Sequence, residues 1–230
     1  MLHLEGDLSL NPAMRPGPLS RATLAQGVAF LSCVDQDLAR IAAQLGQPPL
    51  WARQPGFPTL VHIILEQQVS LASARAAFIK LQARTLAAAP AVQGVTPETF
   101  LTLADAELKE IGFSRQKTAY CRQLALSLLT NEIDLDALNA LDDASARLAL
   151  MKVKGIGPWT ADIYLLMALL RPDIWPAGDL AIAAALQELK GLPSRPGPAE
   201  LDRIALPWRP WRAVAARLLW HYYLSQRNKS

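Results

Sequence analysis

The sequence is poor in the residues that build metal and redox centres. It holds two cysteines, Cys33 and Cys121, and three histidines, His3, His62 and His221, among 230 residues. They are scattered, so no disulfide framework, iron–sulfur cluster or zinc site finds its spacing. Both cysteines sit in apolar helical patterns and read as buried free thiols in a reducing cytosol. Long hydrophobic runs are missing too. The longest, Ile163 to Leu170, is far too short to span a bilayer. The N-terminus carries Glu5 and Asp7 where an export signal would need an apolar core. Period-2 alternation and internal repeats are also lacking, which leaves little room for β or solenoid architectures. A cytoplasmic chain with no membrane partner is expected, and nothing in the pattern marks an obligatory protein partner, so a monomer is expected.

Helical signals are abundant. Just over half of the residues are apolar, enough for a full core. Val34, Leu38, Ile41, Ala42 and Leu45 recur at helical spacing before Gly46. Helices are predicted over Leu60–Val69 and Ser70–Leu86, with the pair joined closely. Thr96-Pro97 reads as an N-cap with proline at the first helical position. Gly112 ends a short helix over Ala104–Ile111, and Ser114 caps one running to about Leu129. Asp134 or Asp136 opens a further short helix. Asp142 or Asp143 opens another. Trp159–Leu170, Leu180–Lys190 and Pro210–Gln226 complete the set. The class is all-α, expected as two lobes with a cleft between them. Residues 1–57 with 173–230 would form one lobe and 58–172 the other.

The net charge is only +3, but Lys190 to Ser230 holds eight Lys/Arg and two carboxylates. A basic end suits a phosphate backbone, although a solvated helix face would look the same. The segment Val153-Lys154-Gly155-Ile156-Gly157-Pro158-Trp159-Thr160-Ala161 is more specific. Its two glycines form a tight turn between two helical patterns, placing a helix N-terminus and its unsatisfied N–H groups outward. Lys152 and Lys154 flank the turn. Asp179 follows 19 residues past Thr160. It directly precedes an apolar helical run, so a helix N-cap is its default role.

The stretch Val153–Asp162 resembles the helix-hairpin-helix motif, at about 143–170, of the base-excision DNA glycosylase (HhH-GPD) superfamily. Trp175-Pro176-Ala177-Gly178-Asp179 is similar to the segment carrying that family's catalytic aspartate, and Leu65-Glu66-Gln67-Gln68-Val69-Ser70 looks like a further family segment. The resemblance runs from roughly Val28 to Tyr223. It is closest to the alkylpurine (3-methyladenine, type II) glycosylases, without the N-terminal β domain of the larger members.

The resemblance implies a monofunctional hydrolase of the N-glycosidic bond, acting on alkylated purines in damaged double-stranded DNA. Asp179 would be catalytic, its anion stabilising an oxocarbenium-like sugar. Trp220 and Trp159 would line the pocket for the flipped base, with Gln67 a neighbour and Gln68 the wedge entering the duplex. Gly155, Gly157, Lys154 and Thr160 would contact DNA, with further contacts from Arg209, Arg212 and Arg115 to Lys117. The carbonyls of Val153 and Ile156 would hold a Na+ or K+ ion, and no cofactor would be required. Lyase members carry a nucleophilic lysine where this chain has Trp159. Some alkylpurine enzymes have a tyrosine where it has Ile163, so the aromatic box lacks a wall. Two further readings remain: a non-catalytic helix-hairpin-helix DNA-binding module, and a glycosylase for another damaged base.

Overall fold

The computed structural model describes residues 16–89 and 94–227. Residues 1–19 carry Pro and Gly with little periodicity and are expected to form an extended lead-in; the first fifteen of them lie outside the described residues. Among the described residues there are twelve α-helices and no strand. Helix α1 (Arg21–Val34) is followed by α2 (Gln36–Leu45), α3 (Phe57–Glu66), α4 (Leu71–Ala88), α5 (Pro97–Thr102) and α6 (Asp105–Ile111). Next come α7 (Arg115–Leu129), a 3-10 turn (Ala137–Ala140), α8 (Asp143–Met151) and α9 (Pro158–Met167). The chain ends with α10 (Leu180–Leu189), α11 (Pro198–Ala205) and α12 (Arg212–Arg227).

Local chemistry sets most boundaries. Ser70, Thr96, Ser114 and Asp142 each accept a hydrogen bond from a backbone N–H in the first turn of the helix that follows, the usual satisfaction of orphan donors. Where one helix was expected through Val34, two are found. Asp35 has extended backbone, ends α1 and caps α2 through Oδ1. Its Oδ2 accepts from the Trp208 indole N–H at 3.1 Å. Asp35 thus joins the N-terminal helices to the C-terminal segment.

The helices pack in two groups. α1, α2, α10 and α12 contact one another, and α3 to α9 form the other group. α1 crosses α12 so closely that a Cβ on Gly27 would sit 2.7 Å from Val214. α9 is buried along most of its length, Thr160 to Leu166, and packs on both α3 and α8. A helix apolar on nearly all sides belongs inside a fold.

The groups are tied by Arg217, which is fully buried on α12. Its guanidinium donates to the carbonyls of Leu50, Ala213 and Leu166 at 2.8–2.9 Å. Burial pushes its pKa down to about 9. Cys121 is buried and burial raises its thiol pKa. Cys33, expected to be buried, is exposed, because the buried face of α1 is formed by Leu24, Gly27 and Leu31.

Candidate active site

The paired-glycine turn lies where expected, between the end of α8 and the start of α9. Val153 and Ile156 bury their side chains in the core, and the Ile156 N–H donates to the Val153 carbonyl at 3.0 Å. Gly155 has φ +99°, and a Cβ there would stand 2.3 Å from the Tyr120 ring. Any side chain would be both strained and blocked. Gly157 differs. It is exposed, with open space around its Cα.

Gly157 is also the N-cap of α9, with no side chain to cap the helix and Pro158 following it. The first-turn N–H groups of Trp159 and Thr160 therefore have no intrahelical acceptor and point out of the helix end. Lys152, Lys154, Arg115 and Arg209 are exposed, with no carboxylate partner among the described residues. The helix dipole and the flanking Lys152 and Lys154 give the hairpin face a positive potential.

Asp179 is the N-cap of α10 and is 8% exposed. Four N–H groups converge on its carboxylate. Oδ1 accepts from the backbone N–H of Ala181 and Ile182, both at 3.0 Å, and from the Trp220 indole at 3.1 Å. Oδ2 accepts from the Trp159 indole at 3.0 Å. The helix cap and the two tryptophans are one assembly. Trp159 occupies the first turn of α9, so the hairpin places the donor that holds Oδ2. Oδ2 carries a single donor and keeps acceptor capacity for another group.

Two residues differ from expectation. Gln67, expected beside the base pocket, turns its amide to the hairpin. Its Nε2 donates to the Gly155 carbonyl at 3.2 Å and to Thr160 Oγ1 at 2.9 Å. Thr160, expected to contact DNA, is 2% exposed, with its hydroxyl turned inward to Gln67. The cause is shared: the end of α3 is sewn to the turn from inside. Gln68, the next residue, has φ +56° and is exposed. The left-handed kink sends it outward while Gln67 holds on. Among the further basic residues, Lys117 and Arg212 are committed. Lys117 Nζ donates to the Leu65 carbonyl at 2.7 Å, and Arg212 pairs with Asp173 at 2.8 Å.

Ile163 is 2% exposed, one turn after Trp159, and belongs to the core. Trp175 and Trp208 are likewise buried and meet edge to face at 5.4 Å. Trp51, unnoticed in the sequence, stands against Trp220 with ring centroids 6.3 Å apart. Their separation of 169 positions hides that contact from any local pattern.

Hairpin, capped aspartate and two anchoring indoles on an all-α frame define a helix-hairpin-helix protein of the DNA repair kind. A family model described as HhH-GPD superfamily base excision DNA repair protein matches residues 61–210. The chain belongs to that superfamily. It is 28% identical over 123 residues to the DNA-3-methyladenine glycosylase of Bacillus subtilis, covering 54% of this chain and 41% of that one. It is 25% identical over 203 residues to DNA-3-methyladenine glycosylase 1 of Schizosaccharomyces pombe, covering 86% and 87%. The structure of Schizosaccharomyces pombe 3-methyladenine DNA glycosylase (Mag1) in complex with abasic DNA matches with a TM-score of 0.76 at 25% identity, covering 85% of this chain and 95% of that one. The chain spans about half the length of several curated relatives, between 41% and 59%. Among the described residues, no helix is long and apolar enough to cross a membrane, and no group of three or more His, Cys, Asp or Glu is placed to hold a metal.

Proposed function

We propose that this chain is a monofunctional DNA glycosylase that hydrolyses the N-glycosidic bond of alkylated purines, of the 3-methyladenine kind, in duplex DNA during base excision repair. The observation that carries this reading is the convergence of four N–H donors on Asp179 beside two tryptophans. Such a set fixes a negative charge in place before the reaction begins, which is the condition for electrostatic catalysis. Departure of the base builds positive charge on the sugar. Asp179 faces that charge, and the free capacity of Oδ2 orients or deprotonates the attacking water.

An alkylated purine is cationic, hence a good leaving group, and needs no strong general acid. The electron-rich rings of Trp159 and Trp220 attract it by roughly 0.5–2 kcal/mol over a neutral base. DNA is gripped at the open first turn of α9 with Gly157, Lys152 and Lys154, and Gln68 props the gap left by the extruded nucleotide. DNA would enter between the two helical groups, with residues 16–57 and 173–227 on one side and 58–89 with 94–172 on the other. A Na+ or K+ ion fits the carbonyls of Val153 and Ile156. Neutral backbone oxygens suit a hard monovalent cation, and the Val153 carbonyl carries one internal hydrogen bond. Bound there, the ion would add positive charge beside the phosphate.

The first-turn residue that lyases use as an amine is Trp159, so no Schiff base forms. The test is incubation with methylated duplex DNA and chromatography of the released bases, with borohydride added to a parallel reaction. Free 3-methyladenine or 7-methylguanine without a trapped covalent adduct is expected. Intact methylated DNA after prolonged incubation would leave only a DNA-binding module. Release of uracil or oxidised purines in place of methylated ones would redirect the substrate class.

A further inference from the structure

We propose that Trp51 is a specificity-determining wall of the base pocket, supplying the aromatic surface that α9 lacks at Ile163. This rests on the alkylpurine reading of the site. The argument begins with the backbone. Trp51 has φ +47°, a left-handed conformation that a bulky side chain adopts only under constraint. The constraint is visible on both sides of it. The Leu50 carbonyl accepts from the buried Arg217 at 2.8 Å. The Arg53 N–H donates to the Met167 carbonyl at 2.9 Å. The Arg53 guanidinium grips both oxygens of Glu66 at 2.7 and 3.1 Å. The Gly56 N–H donates to the Tyr164 hydroxyl at 2.9 Å. The connection from α2 to α3 is thus held to α12, α9 and α3 while Trp51 is kept strained at its middle.

A tryptophan that only filled the core would need no such arrangement. Trp51 is half-buried. Its ring meets Trp220 edge-on at 6.3 Å and His221 at 6.5 Å. Trp220 in turn donates to Asp179, so Trp51 stands one ring away from the carboxylate assembly. Its indole N–H has no acceptor among the described residues and, unlike the equally unpartnered but buried N–H of Trp175, belongs to a half-buried residue; those of Trp159, Trp208 and Trp220 are bonded. A half-buried aromatic ring with an unpartnered donor is what an extruded cationic purine recognises: the ring attracts the charge, and the N–H meets a ring nitrogen or carbonyl of the base.

The test uses the full chain and the variants Trp51→Leu, which keeps an apolar side chain, and Trp51→Phe, which keeps a weaker π system. Two quantities are measured: single-turnover release of methylated purines, and affinity for a duplex carrying an abasic site, which has no base to stack. Trp51→Leu is expected to slow release roughly tenfold and Trp51→Phe roughly threefold, with abasic-duplex affinity within about twofold of wild type. Release by Trp51→Leu less than threefold below wild type overturns the proposal. So does a parallel fall in release and abasic-site affinity, which would mark a purely architectural strap. Wild-type protein that releases no methylated purine fails at the earlier step and removes the alkylpurine reading together with this one.

Discussion

Asp179→Asn looks like the gentlest removal of the charge, yet the donor geometry makes it costly. Three N–H groups point at Oδ1 and one at Oδ2. An asparagine offers one acceptor oxygen and one NH2 group. With the oxygen under the three donors, the amide nitrogen faces the Trp159 indole N–H across 3.0 Å, donor against donor. The flipped rotamer is worse, since it sets three donors against the NH2. Leaving a buried donor unsatisfied costs about 1–3 kcal/mol, which in a chain of this size lowers Tm by roughly 5 °C. The catalytic loss is separate. A unit anion about 4 Å from a unit positive charge contributes about 4 kcal/mol at an effective dielectric near 20, about a thousandfold in rate. Thermal unfolding and single-turnover base release, measured on Asp179→Asn, Trp159→Phe and the double variant, separate the two effects. Trp159→Phe/Asp179→Asn removes the opposed donor, so it should regain stability relative to Asp179→Asn and stay inactive. The reasoning is refuted if Asp179→Asn releases base within tenfold of wild type, or if Trp159→Phe restores no stability in its background.

The two hairpin glycines should respond oppositely to alanine. Gly155→Ala meets Tyr120 and carries a left-handed φ, so unfolding in urea should show a loss of at least about 2 kcal/mol. Gly157→Ala has open space, so it should keep wild-type stability and weaken duplex binding in a titration; unchanged affinity would move the phosphate elsewhere. Gln67→Ala removes the bonds to Gly155 and Thr160 and should cost about 1–3 kcal/mol. A variant of wild-type stability with altered base selectivity would instead return Gln67 to the pocket. Asp162 gives a pH prediction. Burial, partly offset by Arg147, raises its carboxyl pKa from 3.8 to about 6. Its contribution to stability is fully present below pH 3.8 and is lost as pH rises through about 6. Asp162→Asn should match wild type near pH 4 and exceed it by about 3 kcal/mol at pH 7, read from denaturation at both values; a difference that does not grow with pH would refute it.

What was legible in the sequence was whatever is decided within one or two helical turns. Thr96-Pro97, Ser114, Asp142 and the glycine at 112 mark helix ends through bonds to their own neighbours. Asp179 reads as an N-cap for the same reason. Helix α1 was missed because its buried face is Leu24, Gly27 and Leu31, and a glycine that admits Trp211 and Val214 contributes no hydrophobic period. α11 was missed because only Gly197 and Pro198 announce it.

The site follows the same division. The cap half of the Asp179 assembly comes from Ala181 and Ile182, close in sequence, whereas the indole half comes from Trp159 and Trp220, 20 and 41 residues away. Gln67 and Gln68 are adjacent in sequence and differ in placement, Gln67 bonded to the hairpin and Gln68 exposed, because Gln68 itself is left-handed. The hairpin and the carboxylate are therefore mechanically joined through Trp159. A phosphate drawn to the first turn of α9 would act on the same turn that carries the donor to Oδ2, so under the proposed function grip and chemistry would share one helix end. A change confined to the phosphate side, such as Gly157→Ala, should accordingly lower the rate of base release at saturating DNA as well as the affinity. An effect on affinity alone would mean that the two functions of the turn are independent.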